Sequence, residues 1–147
     1  MTIIKQRAVT ENGHQRNLRA YINDDKKVLF RDSQNMDGCT NIKRWATFME
    51  ATRRRFGHDK ASRMVRDKKT GELRQSKNTI MYHQILAFHP DECDINGGKL
   101  TPEECMAYAK EYAAKFYTNQ QVVFALHNEY CKEDKTHRYA VHMVINR

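Results

Sequence analysis

Two stretches near the C-terminal end carry the hydrophobic pattern of β-strands, and each contains a histidine. The first is QVVFALHNE and the second is RYAVHMVIN. Because strand side chains alternate between two faces, His127 shares a face with Glu129, and His142 shares a face with Ala140. If the two strands pair antiparallel, both imidazoles and the carboxylate meet at one end of a sheet. The pattern therefore predicts a divalent-metal site there.

The hydrophobic positions upstream predict the other elements. TIIKQRAV is typical of a strand and GHQRNLRAYIND of a short helix, while TIMYHQILAFHP is hydrophobic on both faces and is predicted to be a central strand. A second helix is predicted over NIKRWATFMEATRRRFG, ending at Gly57. Its hydrophobic stripe comprises Ile42, Trp45, Phe48, Met49 and Phe56.

A third helix is predicted over LTPEECMAYAKEYAAKFYTN. Thr101, Pro102 and Glu104 form a capping box with proline at the first helical position. The face predicted to cover the sheet carries Cys105, Tyr108, Ala109, Tyr112, Ala113 and Phe116. In chain order the elements are strand, helix, helix, strand, helix, strand, strand. This order predicts an α+β fold, with a mainly antiparallel central sheet and helices packed on its faces.

The length of 147 residues is enough for one domain, which we expect to span positions 1–147. Because Arg147 directly follows the last predicted strand, we expect the domain to end inside a longer protein. No hydrophobic run approaches the roughly 20 residues that cross a bilayer, and no signal peptide is apparent. We therefore expect a cytoplasmic protein. The four cysteines lack metal-ribbon spacing and are expected to be free thiols.

The positive charge is concentrated in one segment. Residues 41–80 hold 12 Lys and Arg against four Asp and Glu, whereas the rest of the chain holds 14 of each sign, so the net charge of +8 lies in this segment. Such a tract predicts a polyanionic partner, and a nucleic acid is favoured over a membrane surface. A solvated charged loop is the alternative. Within it, the stretch 58–78 contains a turn signal and is predicted to form a hairpin or an irregular loop.

Five strings in order resemble a known family. They are YINDDKK, FMEATRRRFG, YHQILAFHPDE, LTPEECMAYAKEYAAKF and the ending HMVIN. Together they resemble the relaxases, or mobilisation nucleases, of the MobA/Vir type, in the HUH-endonuclease class. The resemblance covers essentially the whole chain and implies a relaxase that nicks one strand of DNA at a transfer origin.

The resemblance also implies roles for particular residues. Tyr21 would be the nucleophile that forms a covalent 5′-phosphotyrosine bond, because the family's tyrosine precedes a lysine-containing loop as Tyr21 precedes Lys26 and Lys27. A tyrosine with a pKa of about 10 needs nearby positive charge to attack a phosphodiester at neutral pH. The family holds a divalent metal with histidines; we expect Mn or Mg, with Ni, Co or Zn as alternatives. Implied partners are relaxosome accessory proteins and a coupling protein, in a bacterium that carries a plasmid or an integrative element.

The chain departs from the family pattern at the metal. The usual His-x-Asp element is here His127-Asn128-Glu129, and the first histidine of the usual His-x-His pair is Ala140. Beside His127 and His142, the third ligand is therefore Glu129, His137 or His83. We favour Glu129, which is also a candidate catalytic carboxylate, or His137. We place His83 beside the metal or in the DNA pocket.

The DNA contacts are expected in the basic tract. The candidates are Arg53, Arg54, Arg55, Arg63, Arg66, Lys68 and Lys69. These side chains would neutralise phosphates without choosing a sequence. Two other functions remain open: a basic nucleic-acid-binding domain without catalysis, whose metal site has decayed through Ala140, and a replication initiator of the same nuclease class.

Overall fold

The computed structural model describes residues 2–10, 12–58, 64–75, 79–133 and 135–147. The strands are β1 (Thr2–Val9), β2 (Val28–Gln34), β3 (Met64–Arg66), β4 (Leu73–Gln75), β5 (Met81–Phe88), β6 (Val122–Cys131) and β7 (Thr136–Asn146). The α-helices are α1 (Asn12–Ile22), α2 (Trp45–Arg55) and α3 (Pro102–Phe116). Short 3-10 helices lie at Ile42–Arg44, Pro90–Glu92 and Asp94–Asn96.

Five strands form one antiparallel sheet in the order β1-β5-β7-β6-β2. The predicted α+β class and the predicted antiparallel pairing of the last two strands are confirmed. Strand β5 is an interior strand with a neighbour on each side, as predicted, and β7 lies in the middle of the five. Strand β2 was not predicted, because its sequence VLFRDSQ alternates poorly and the strand lies at an edge with a single neighbour.

Helices cover both faces of this sheet. Helix α3 packs on one face, where the buried residues include Phe124, Leu126 and Met143. Helices α1 and α2 contribute to the core on the other face, which includes Ile22 and Trp45. Successive residues of β6 and β7 therefore belong to different cores, as the period of two requires. We call these faces the α3 face and the α1/α2 face.

The helix predictions hold for the buried stripes and fail near the ends. Thr101 caps α3 by accepting a hydrogen bond from the Glu104 backbone N–H at 3.2 Å, as the capping box predicts. Trp45 and Met49 of α2 are fully buried. Phe56 is 64% exposed, because α2 ends at Arg55 and the backbone then turns through Gly57, whose φ is +72°. On α3, Tyr108 and Phe116 are also exposed.

The stretch 58–78 forms a hairpin where it is described. Strands β3 and β4 pair antiparallel, and the Asp67 N–H donates to the Glu72 carbonyl at 2.8 Å across the turn. Gly71 occupies the left-handed region with a φ of +72°. Cys39, Cys93 and Cys105 are free thiols, as expected. Among the described residues, no helix is long and apolar enough to cross a membrane.

Candidate active site

Strands β6 and β7 bring His127, Glu129 and His142 together on the α1/α2 face. Their register pairs His127 with Ala140 and Ala125 with His142, so the two imidazoles are diagonal neighbours with ring centroids 4.3 Å apart. One ligand atom from each of the three side chains lies within 4.8 Å of the others. Two imidazoles and a carboxylate are a common donor set for divalent first-row metals. We call these three residues the His/Glu cluster.

His127 is the member of the cluster whose polar atoms lack partners. Its ring is completely buried, and neither Nδ1 nor Nε2 has a hydrogen-bond partner in the described part of the chain. Burial, followed by the nearby His142, lowers the pKa of His127 to about 4. The ring is therefore neutral at pH 7, with a lone pair available for a metal. A buried imidazole without partners is costly in a purely structural core, and a bound cation would satisfy it.

Glu129 connects the cluster to its surroundings. Its Oε1 lies 2.9 Å from His142 Nε2, and its Oε2 lies 3.5 Å from Arg138 Nε on the opposite strand. Burial alone would raise the pKa of the carboxyl. Hydrogen bonds from His142 and Tyr21, together with electrostatic interactions with His142 and Arg138, outweigh burial. They lower the pKa of Glu129 to about 2. Glu129 is therefore a carboxylate throughout the physiological pH range.

Helix α1 places Tyr21 directly against the cluster. The neighbouring Ile22 is fully buried and Leu18 nearly so, and these two anchor the last turn of the helix in the core. The Tyr21 ring then packs edge-on against His127, with centroids 4.5 Å apart, and its hydroxyl donates to Glu129 Oε1 at 3.1 Å. Burial raises the pKa of Tyr21, and the charge of Glu129 raises it further. Without a bound cation, the Tyr21 hydroxyl therefore stays protonated beside the cluster.

His83, from the adjacent strand β5, contacts the cluster from the side. Its Nε2 lies 3.0 Å from His142 Nδ1, and the two rings stack with centroids 5.2 Å apart. One of the two nitrogens therefore carries the shared hydrogen, which orients the His142 ring. Burial, then His142 and Arg7, lower the pKa of His83 to about 4. His83 is a positioning partner of His142 in this arrangement.

The structure does not bring His137 to the cluster. It is an odd number of positions from His142 within β7, so its side chain points to the α3 face. There its Nδ1 lies 3.2 Å from Asn128 Oδ1 and its ring lies 5.0 Å from that of Tyr130. Of the three possible third ligands, only Glu129 shares a close cluster with both His127 and His142.

The candidate DNA contacts have different environments. Arg53 is only 2% exposed, and its Nη1 donates to Asn146 Oδ1 at 2.8 Å, so Arg53 is a core residue and its assignment to DNA binding is corrected. Arg54 and Arg55 lie at the exposed end of α2, with Arg54 bound to Glu50 at 2.9 Å. Arg66, Lys68 and Lys69 lie on or near the β3–β4 turn, where both lysines are exposed. Arg63 lies outside the described residues.

The sequence prediction missed several residues around the cluster. Arg138 reaches Glu129 because the register places the two opposite each other. Lys27 places its ammonium 5.3 Å from the centre of the Tyr21 ring, within the range of a cation–π contact. Arg7 is paired with His83 across β1 and β5. The contacts of Arg138 and Arg7 depend on strand register, for which the sequence holds no signal, whereas Lys27 belongs to the lysine-containing loop that follows Tyr21.

Most of the chain is similar to one known protein family. The model of one family, described as relaxase, MobA/VirD2-like, nuclease domain, matches residues 21–147. The match thus begins at Tyr21 and includes every residue of the His/Glu cluster. No curated protein and no solved structure gave a significant match to the chain.

Proposed function

The chain belongs to the MobA/VirD2-like relaxase family, and on this premise we propose that it nicks one strand of DNA through Tyr21. The reaction would be a transesterification at a transfer origin that leaves a 5′-phosphotyrosine bond and is reversed by religation. The proposed setting is the cytoplasm of a bacterium that carries a mobile plasmid or an integrative element. Accessory proteins of a relaxosome and a coupling protein are part of the same proposal.

One contact carries the proposal. The Tyr21 hydroxyl donates to the same Glu129 oxygen that lies 2.9 Å from His142 Nε2. The candidate nucleophile and the candidate ligands therefore meet at a single carboxylate, although Tyr21 and Glu129 are 108 positions apart in sequence. A tyrosine that was only a core residue would not need its hydroxyl directed at a cluster of titratable groups.

The chemistry follows from these positions. The Tyr21 oxygen attacks the phosphorus of one phosphodiester, forming the tyrosine–phosphate bond as the bond to the 3′ oxygen breaks. Glu129 already accepts the hydroxyl hydrogen bond and so orients the phenol, whose proton leaves to solvent. The leaving 3′ oxygen takes up a proton from solvent to become a hydroxyl. The energy of the broken linkage is retained in the phosphotyrosine, so the 3′ hydroxyl can attack it and religate the strand.

The His/Glu cluster fits a divalent cation. His127 has two buried nitrogens without partners among the described residues, and Glu129 and His142 supply the other donors. Two imidazoles with one carboxylate suit Mn, Co, Ni or Zn better than Mg, which prefers oxygen ligands. When bound, the cation would supply positive charge that polarises the phosphate and favours the phenolate. His83 would keep the His142 ring oriented through their shared hydrogen.

The exposed basic residues provide the proposed DNA path. Lys68 and Lys69 at the hairpin turn, with Arg54, Arg55 and Arg66, are exposed and would neutralise phosphates of the bound strand. Binding through them would weaken as salt is added, because each phosphate contact releases counterions. Sequence preference would come from other residues.

The decisive experiment is a search for the covalent adduct. Single-stranded oligonucleotides that tile the DNA flanking the gene, labelled at the 3′ end, are incubated with the chain and Mn²⁺ and run on a denaturing gel. The 3′ label is needed because a 5′-phosphotyrosine retains the downstream fragment. We expect a labelled protein band with one or a few oligonucleotides, and its loss in EDTA and in Tyr21→Phe.

The matched control is Tyr130→Phe, which removes the hydroxyl of an exposed tyrosine on the same strand as the cluster. This variant should form the adduct as the wild type does. Adduct that persists in Tyr21→Phe would exclude Tyr21 as the nucleophile. Tight DNA binding with no adduct on any tiled oligonucleotide would instead favour the non-catalytic binding domain. Adducts that map to a replication origin rather than a transfer origin would favour the replication initiator.

A further inference from the structure

A cleft of about 590 Å³ opens beside Tyr21, between strand β1 and helix α1. Its lining includes Arg7, Val9, Asn17, Leu18, Tyr21 and His83. Pockets between about 300 and 1,000 Å³ are typical of sites for one small molecule. Tyr21 and His83 belong both to this cleft and to the surroundings of the His/Glu cluster, so the two spaces adjoin. A group held in the cleft would lie next to the attacking hydroxyl.

The cleft has a cationic wall. Arg7 is exposed, and no hydrogen bond or ion pair to it is found in the described part of the chain. It is the cross-strand partner of His83, which places it on the α1/α2 face at the edge of the sheet. An unpaired guanidinium on that face is suited to a phosphate, which it can bind through two parallel hydrogen bonds.

The remaining walls suit a base. Leu18 and Val9 are buried apolar side chains, while Tyr21 and His83 offer ring surfaces. Asn17 is exposed and carries an amide, which offers both a donor and an acceptor to a base edge. Single-stranded nucleic acids are usually recognised in this way, by stacking on rings and by hydrogen bonds to unstacked bases.

We propose that this cleft holds the nucleotide attached to the phosphate that Tyr21 attacks, with Arg7 on a phosphate and Asn17 on the base. The inference rests on the proposed function, because it takes Tyr21 as the nucleophile. It also locates a source of sequence preference. Arg7, Asn17 and Leu18 precede position 21, where the family match begins, so these walls lie outside what the chain is shown to share with the family.

The test uses nucleotide binding rather than cutting. The isotope-labelled wild-type chain, in EDTA, is titrated with dAMP, dGMP, dCMP and dTMP in turn, and with deoxyribose 5-phosphate as a probe without a base. We expect the resonances of Val9, Asn17 and Leu18 to shift with at least one nucleotide, and less with the sugar phosphate. Arg7→Ala should weaken binding about tenfold, the effect of losing one charge-assisted hydrogen bond. Asn17→Ala should reduce the differences between the four nucleotides.

Arg16→Ala is the matched control, because it removes the same charge from an exposed neighbour of Asn17 that lines a different cleft. Binding should be unchanged in this variant. Equal weakening by Arg7→Ala and Arg16→Ala, or shifts confined to the hairpin near Lys68, would overturn the inference. If deoxyribose 5-phosphate shifts the same resonances equally, the cleft binds the sugar phosphate and does not recognise the base. Nucleotide binding in the cleft without any covalent adduct would reject the proposed nicking reaction and leave the cleft as a nucleotide site.

Discussion

The two faces of the sheet are built from the same strands, yet they bury different chemistry. On the α3 face, β6 and β7 contribute Val122, Phe124, Leu126, Val141 and Met143 to an apolar core. On the α1/α2 face, the alternate positions of the same strands bury His127, His142 and Asn146 as well as apolar residues. Both faces are equally inaccessible to water at these positions, so burial does not distinguish them.

The difference lies in whether each buried group is satisfied within the protein. Apolar side chains on the α3 face need only close packing, which stabilises them by roughly 1.5–3 kcal/mol each. On the α1/α2 face, polar groups are buried at a cost unless they gain partners. Asn146 has such partners, whereas His127 has none in the described part of the chain. The α1/α2 face therefore buries an imidazole that gains no partner from folding among the described residues, and a bound cation would satisfy it.

The largest effect on stability is expected on the α3 face. Leu126→Ala removes a fully buried side chain from the apolar core and should lower the free energy of unfolding by about 2–5 kcal/mol. The affinity for Mn²⁺ should stay close to that of the wild type, because Leu126 points away from the cluster. Urea unfolding in EDTA and titration calorimetry with Mn²⁺ measure the two quantities. A large loss of metal affinity would show that the two faces are not independent.

The opposite result is expected one residue further along the strand. His127→Ala should weaken Mn²⁺ binding by at least about 100-fold, or about 2.7 kcal/mol, because it removes one of the three donors. In EDTA its loss of stability should be well below that of Leu126→Ala, since the lost packing is offset by removal of two unpartnered buried nitrogens. Equal losses of stability in the two variants, with unchanged metal affinity, would assign His127 to the core.

The period of two explains how much of this contrast could be predicted. It placed His127 and Glu129 on one face of β6, whereas placing His142 on the same face also required the register that pairs Ala125 with His142. The same rule separates His137 from His142 only once β7 is known to begin at Thr136, since the predicted strand RYAVHMVIN starts at Arg138. Burial of Arg53 could not be predicted, because its partner Asn146 is 93 positions away. The contacts of Arg138 and Arg7 depend on strand register, which is set by the whole sheet.

An intermediate effect on stability is expected at Asn146, a buried polar residue of the α1/α2 face that has hydrogen-bond partners within the protein. Asn146 accepts from Arg53 and donates to the Met49 carbonyl and the Gln121 side chain, at distances of 2.8–3.1 Å. Asn146→Leu should lower the free energy of unfolding by about 1–3 kcal/mol, because these groups lose a buried partner. The double variant Asn146→Leu with Arg53→Met should recover part of that loss. The guanidinium that would be left without its Asn146 acceptor is then also removed. Simple addition of the two single effects would show that the pair is not coupled.

The smallest expected difference between the two faces is in how the free energy of unfolding changes with pH. The pKa of His127 and that of His83 are lowered from 6.5 to about 4, so as the pH falls below 6.5 the unfolded chain takes up these protons first. Stability from this source is therefore complete above pH 6.5 and declines toward pH 4. Glu129 adds to the decline only below its usual pKa of 4.5, because its folded pKa is about 2. The window between pH 6.5 and 4.5 thus isolates the histidines.

In that window, with EDTA present, His127→Ala should reduce the slope of stability against pH by up to one proton, or about 1.4 kcal/mol per pH unit. Leu126→Ala should keep the wild-type slope, because the α3 face contributes neither of these histidines. Urea titrations at a series of pH values give the slopes directly. A wild-type slope in His127→Ala would mean that the imidazole is protonated in the folded chain as readily as in the unfolded one. Its nitrogens would then be accessible to water and would need no bound cation to satisfy them.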